Sequence, residues 1–340
     1  MFCFFQHFKD TISSIYYIYG SISNAYAMNI AQLEYLKELY ACGSFSLAAD
    51  RLGVTQPALS LQIQKLEEEL EFKLIDRTKR PFQFTDEGKV FYEKSLEILK
   101  QIEALKQISI NISEEVSGNL KVGIIPTLAP YLIPLFIHQL GKDFPALQLE
   151  IYELKTEEII DEIKMGDIDC GIISTPVSAT NISITPLFYE RFYAYLSEDH
   201  RLFEQDFIDL KSIEEGEIWY LEEGNCFQNQ VNSICQINPQ KRNKQSLVYH
   251  SNSIESLRRI VENKSGLTFI PELATINIPA EQEELIKEIV PNEPVREISL
   301  ITAKRFAKER QVNALQKVIK SSIPARMLQQ PKSGIVDTLL

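Results

Sequence analysis

The stretch from Ser46 to Leu66 constrains the fold most. It carries Leu47, Ala48, Ala49 and Leu52, then Gly53, then Val54-Thr55-Gln56-Pro57, then Leu59, Leu61, Ile63 and Leu66. Apolar residues at helical spacing on both sides of a glycine read as two helices joined by a tight turn. Ser46 is placed to cap the first, and its alanines allow a close crossing. Pro57 falls in the first turn of the second, where a missing N–H costs nothing. An earlier helix carries Leu33, Leu36, Leu39 and Tyr40 and ends at Gly43. On the helix that opens at Thr55, the residues facing away from the apolar stripe are Thr55, Gln56, Ala58, Ser60 and Gln64, beside Pro57. Short, polar, uncharged side chains suit a helix whose first turns read base edges in the major groove.

The chain has 340 residues, enough for two or three domains, and a net charge of −12. A protein so acidic meets nucleic acid only through a local basic surface. Residues 72–85 supply one: two short alternating runs flank Arg77, Lys79 and Arg80, which reads as a β-wing whose tip contacts phosphate. Glu67-Glu68-Glu69 just before it reads as a solvated helix face. Thr85 then caps a helix running to about residue 113. Phe91, Ile98, Leu105 and Ile112 repeat along it every seven residues, with Ile102 on the same stripe. A heptad stripe on a helix between domains predicts pairing with a second helix.

Ser117-Gly118-Asn119 ends that helix, and strands alternate with helices from there on. Strands are expected over residues 120–125, 147–154, 170–173, 192–196, 218–221, 246–250, 267–270 and 295–302. Helices are expected over 130–144, 156–165, 226–237, 254–262 and 308–321, with an irregular tail after Pro324. The alternation predicts α/β architecture with a mostly parallel sheet.

Residues 1–27 are aromatic, apolar and end in Ala25-Tyr26-Ala27, but Gln6, Lys9, Asp10 and Gly20 break the apolar run. Translation from Met28 is the expectation, and an intact mass retaining Met1 refutes it. No segment has the length of a membrane helix. Five scattered cysteines do not form a secreted disulfide framework, which points to a reducing compartment, the cytoplasm.

Two of those cysteines, Cys226 and Cys235, lie nine positions apart around a helical segment. A helix starting near Gly224-Asn225 favours the Cys226 anion, and Cys235 is placed to resolve an oxidised Cys226. The other reading is two thiols packed as small apolar residues, and the spacing alone favours it. Cys42 and Cys170 read as packed, and Cys3 falls in the extension. His7, His138, His200 and His250 have no metal-ligand spacing with the cysteines, so no metal is expected. No phosphate loop, dinucleotide glycine motif or Ser/His/Asp arrangement occurs, so neither a cofactor nor an enzyme is expected.

The pattern Ala48-Ala49-x-x-Leu52-x-Val54-Thr55-Gln56-Pro57-Ala58-Leu59-Ser60-x-Gln62-Ile63-x-x-Leu66-Glu67, with Leu74-Ile75-x-Arg77 and Phe84-Thr85-x-x-Gly88, resembles the winged helix-turn-helix of LysR-type transcriptional regulators. The resemblance implies a DNA-binding domain over residues 28–86, a linker and dimerisation helix over 86–116, and a two-lobed, periplasmic-binding-protein-like regulatory domain over 117–325. Residues 326–340 are left as the tail.

Further on, Gly123-Ile124-Ile125-Pro126-Thr127-Leu128-x-Pro130-Tyr131-Leu132-x-Pro134, Gly166-x-x-Asp169-Cys170, Leu221-Glu222-x-Gly224-x-Cys226 with Cys235, and Ser253-x-Glu255-x-Leu257-Arg258 resemble the hydrogen-peroxide-sensing branch of that family. This resemblance turns the balance toward redox chemistry. It implies that Cys226 reacts with hydrogen peroxide and that Cys235 resolves it into a reversible disulfide. Thr127 and Thr156 then belong to the peroxide pocket. The re-packed helix changes how a dimer or tetramer meets promoter DNA and RNA polymerase, switching antioxidant genes. Asn225 stands where the branch often has histidine. The branch's pocket arginine is sought at Lys304 or Arg305, with Arg305 preferred. The alternative is a LysR-type regulator that binds a small metabolite between the lobes, with Thr127 and its helix holding a carboxylate and the cysteines structural.

Overall fold

A computed structural model describes residues 28–112, 115–222, 225–236, 249, 251–263, 266–291, 293–331 and 334–338, and side chains outside 106–114. The chain divides into two compact units, with the boundary between Leu105 and Lys106.

The first unit begins with α1 (Ile30–Cys42), where Asn29 and Gln32 cap each other's backbone N–H groups and Gly43 ends the helix at a φ of 59°. Then come α2 (Phe45–Leu52) and α3 (Gln56–Leu70), separated by Gly53 at a φ of 67°. The cap of α2 is Ser44, not the expected Ser46: its hydroxyl accepts from the Leu47 N–H. Strands β1 (Ile75–Asp76) and β2 (Gln83–Phe84) pair antiparallel as the wing. Leu36, Leu39, Ala48, Ala49, Leu59, Ile63 and Leu66 form the core, but Leu61 is exposed, because it falls on the opposite face of α3 from Leu59 and Ile63. Glu67 also departs from expectation. Its carboxylate is buried and accepts from the N–H groups of Leu74 and Ile75, tying α3 to the wing.

Helix α4 (Asp86–Ile112) follows. The Thr85 hydroxyl accepts from the Gly88 N–H and donates to the Lys73 carbonyl. Gly88 is required there: a Cβ would lie 2.1 Å from the Leu74 carbonyl oxygen. Along α4, Phe91 packs into the core, whereas Ile98 and Leu105 are exposed; the Ile112 side chain lies outside the described residues.

The second unit is built on an eight-stranded sheet. Its strands are β3 (Gly118–Ile124), β4 (Leu147–Glu153), β5 (Cys170–Thr175), β6 (Ile182–Leu196), β7 (Phe207–Ile208), β8 (Leu267–Pro271), β9 (Ile286–Ile289) and β10 (Val295–Ala303). They run in the order β4-β3-β5-β10-β6-β9-β7, with β8 also paired to β6. The sheet is mixed rather than mostly parallel. Among the described strand pairs, β3–β4, β3–β5 and β7–β9 are parallel, whereas β10–β6, β10–β5, β6–β8 and β6–β9 are antiparallel. The reason is that the chain crosses between two cores and returns, so the crossing strands oppose each other. The first half of β6 packs Leu187 and Phe188 into one core, and the second half packs Phe192 and Tyr195 into the other.

Helices α5 (Ala129–Asp143), α6 (Thr156–Met165) and α10 (Glu309–Ser322) cover the first core, while α7 (Cys226–Ile234) and α8 (Ile254–Glu262) serve the second, with a short α9 (Ala280–Glu283) near β9. Residues 218–221 form no strand; Ile218 makes one isolated bridge to Leu267. The strand expected over 246–250, along with His250, Cys3, His7 and all of residues 1–27, lies outside the described residues except for Tyr249. The tail is irregular but docked. Ile335 bridges to Val295, the Val336 N–H donates to the Val295 carbonyl, and Thr338 is buried with its hydroxyl on the Pro176 carbonyl.

Candidate redox site and DNA-binding surface

Cys226 is the first residue of α7, and Asn225 is its cap, accepting the Phe227 N–H at 3.0 Å. Both side chains are buried, so the cap places the thiol at the end of a helix and inside the protein at once. The consequences oppose each other. Burial raises the Cys226 pKa; the Arg296 charge, the Thr156 hydroxyl and the N–H groups of Phe227 and Cys226 lower it. Burial wins, so the thiol stands above its ordinary value, and the helix terminus only moderates the shift.

Thr127 sits in the turn between β3 and α5 and is buried. Its hydroxyl and carbonyl both face Arg296, at 3.3 Å from Nη1 and 3.4 Å from Nη2. Thr156 opens α6; its buried hydroxyl bears on the Cys226 thiol but lies beyond ordinary hydrogen-bond reach of any described group. Thus Thr127, Thr156, Asn225 and Arg296 converge on the region of Cys226. The expected Arg305 does not: it lies exposed beyond the end of β10, and Lys304 is exposed as well. The arginine that bears on the thiol is Arg296, at the other end of the same strand. In the sequence Arg296 alternates with the apolar Ile298 and Leu300, which places it on one strand face with them but does not name its partner.

The rim is polar. Asn225 donates to Asn252 at 3.5 Å, Asn252 donates to Glu222 at 2.6 Å, and Lys155 pairs with Glu222 at 3.3 Å. Cys235 caps the far end of α7, half-buried, and its thiol is pushed up to about 12 by burial. The four described cysteines are free thiols, and the buried Cys170 is likewise raised by burial.

In the first unit, Thr55 at the N-cap of α3 and Gln56, Pro57, Ala58 and Gln64 on it are exposed, and Ser60 is half-buried. Arg77, Lys79 and Arg80 are exposed on the wing. Arg77 joins the two groups: it donates to the Ser60 hydroxyl at 3.1 Å and lies over the Phe45 ring. Lys79 donates to Gln83 at 2.8 Å, and Gln64 to Glu68 at 2.9 Å. A polar helix face with cations beside it is the arrangement that base reading plus phosphate anchoring requires.

The family described as bacterial regulatory helix-turn-helix protein, lysR family, matches residues 30–89, and the LysR substrate binding domain matches residues 113–323. The chain is a LysR-type transcriptional regulator. Within that family it is similar to OxyR. It is 33% identical to the hydrogen peroxide-inducible genes activator of Haemophilus influenzae over 81% of this chain and 90% of that protein. It is 32% identical to the DNA-binding transcriptional dual regulator OxyR of Escherichia coli over 81% of this chain and 89% of that one. A full-length OxyR variant from Pseudomonas aeruginosa matches with a TM-score of 0.73 at 26% identity, covering 90% of this chain and 99% of that structure. A LysR-type regulator is a DNA-binding protein and not an enzyme. Among the described residues, no helix is long and apolar enough to cross a membrane.

Proposed function

We propose that this LysR-type regulator senses hydrogen peroxide through Cys226 and Cys235 and switches antioxidant genes. The observation that carries the reading is the setting of Cys226: a buried thiol at a helix start, with the Arg296 cation and an unpartnered Thr156 hydroxyl turned to it. Inert packing of a thiol requires neither. The Cys226 thiolate attacks one peroxide oxygen and the O–O bond breaks. The Cys226 sulfur becomes a sulfenic acid, and the departing hydroxide takes the thiol's proton and leaves as water. Thr127, Thr156 and Asn225 orient the peroxide, and Arg296 holds the developing negative charge. The Cys235 thiol then displaces the sulfenic hydroxyl, forming the disulfide and a second water.

Thr55, Gln56, Pro57, Ala58, Ser60 and Gln64 read the promoter, and Arg77, Lys79 and Arg80 anchor its phosphates. Residues 28–86 form the DNA-binding domain, 86–116 the linker, and 117–325 the regulatory domain. Exposed Ile98 and Leu105 are the surface through which two linkers pair, giving a dimer or a tetramer that acts on RNA polymerase. The test is thiol mapping by mass spectrometry before and after a low dose of peroxide. A Cys226–Cys235 disulfide forming within seconds, and absent in Cys226→Ser, is the expected result. Thiols that stay free with peroxide in excess overturn the reading and return the chain to the metabolite-binding alternative.

A further inference from the structure

Arg296 stands directly opposite Glu190 where β10 pairs with β6, and both side chains are completely buried. Arg296 donates from Nε to Glu190 Oε1 at 2.8 Å, and its Nη2 lies 2.7 Å from the same oxygen. The second carboxylate oxygen accepts from the Leu273 N–H at 3.1 Å. The outer edge of the guanidinium is spent on Thr127, and its Cζ lies 4.9 Å from the centre of the Phe227 ring. Phe227 follows Cys226 directly. Two strands, a turn and the first turn of α7 therefore meet on one cation that has no freedom to rotate.

A buried cation without a counter-ion is strongly disfavoured, so Glu190 is what permits Arg296 at this place. An anion so close to a cation also cancels much of the field that the cation exerts on third parties. Glu190 thus acts in two opposed directions. It aims the guanidinium at the thiol site, and it weakens the charge so aimed.

We infer that Glu190 is a positioning residue of the thiol site: it directs Arg296 toward Cys226 while damping its charge, so that the ion pair sets the acidity of Cys226. The inference rests on the reading of Cys226 as the reactive thiol. The groups bearing on Cys226 are Arg296 from β10, the Thr156 hydroxyl from α6, and the N–H groups of its own helix. Glu190 itself meets Arg296, the Leu273 N–H and the charge of Glu272, which is paired with Arg326 at 2.7 Å.

The experiment is a pH titration of Cys226 in the full, reduced chain. Thiolate is followed by ultraviolet absorbance against Cys226→Ser, and iodoacetamide labelling is mapped to the Cys226 peptide. Glu190→Gln keeps a hydrogen-bond acceptor for Arg296 and removes the anion. Its Cys226 midpoint is expected to fall by about one to three pH units, the range over which a nearby opposite charge acts. Arg296→Gln is expected to raise the midpoint and to leave Glu190 buried without its cation and therefore protonated, so that adding Glu190→Gln changes the midpoint little further. A residue that merely supports the fold gives no downward shift. A Glu190→Gln midpoint at or above wild type, or the same shift with and without Arg296, overturns the inference.

Glu190→Asp sets the carboxylate back by one methylene and is expected to fall between wild type and Glu190→Gln. If Glu190→Gln does not fold, an Asp variant at or above the wild-type midpoint overturns the inference alone. No peroxide enters these titrations, so a failure of disulfide formation and a failure of this inference are separate results.

Discussion

Cys226 and Cys235 stand at opposite ends of α7 and face opposite ways. Nine residues of α-helix are about two and a half turns and span about 13 Å, whereas a disulfide needs Cα atoms about 5.5 Å apart. Cys226 belongs to the core of the first lobe and Cys235 packs against that of the second. No side-chain rotation joins them; α7 has to unwind. A Cys235→Ser variant is therefore expected to stop at the sulfenic acid with α7 intact. The checks are trapping of Cys226 with a dimedone-type reagent and an unchanged far-ultraviolet circular dichroism spectrum after peroxide. A variant that loses helix without forming the bond breaks this link between disulfide and unwinding.

Burial holds the Cys226 pKa above its ordinary value, so little thiolate exists at neutral pH. The peroxide reaction is expected to speed up by about tenfold per pH unit until the thiol titrates. Stability runs the other way. Cys235 keeps its proton up to about 12 in the folded protein but loses it near about 8.5 when unfolded. Below that lower value its contribution is constant; as pH rises through the interval the unfolded chain is favoured and stability declines. Denaturant titrations of the reduced protein at pH 8 and 10.5 measure the decline, and Cys235→Ser reduces it.

Thr156→Val removes a buried hydroxyl that has no partner among the described residues. An unmet buried hydroxyl is worth about 1–3 kcal/mol of destabilisation, so the valine variant is expected to melt at or above the wild-type temperature. Its peroxide reaction is expected to slow by about tenfold to a hundredfold, because a donor near the reacting oxygen is gone. Stopped-flow oxidation and thermal melts, run together, show whether stability and rate separate in this way.

Arg77→Ala removes a wing cation that also holds Ser60. Binding to promoter DNA is expected to weaken at every sequence, with the slope of log affinity against log salt reduced by about one. A variant that changes sequence preference but not the salt slope assigns Arg77 to base reading instead.

Gly88→Ala forces a methyl group against the Leu74 carbonyl oxygen, where the neighbour is backbone. A loss of about 1–3 kcal/mol is expected by chemical denaturation, from strain where the wing joins α4.

The helix-turn-helix was legible because its devices are local. Gly53 needs a positive φ, Pro57 fits only a first turn, and Thr85 with Gly88 marks a junction by side-chain chemistry and by space. The cysteine pair was legible as a spacing but not as a geometry. Arg296 was missed because strand register, not order along the chain, sets its partners. Arg296 meets Glu190 across more than a hundred residues of sequence, and only strand pairing reveals it. The parity of buried positions, 188, 190 and 192 on one strand and 296, 298 and 300 on the other, put both charges on core faces. The mixed sheet was misread because alternating strands and helices look alike whether the chain stays in one lobe or returns to another.

Helix α7 and the tail share a seam. Gln230, buried in the middle of α7, donates to the Val336 carbonyl at 3.0 Å and also bonds Ser174. The final residues are thus a handle on the helix between the two cysteines. Whatever displaces residues 334–338 from their place breaks a hydrogen bond of that helix, so the tail and the cysteine segment are mechanically one part.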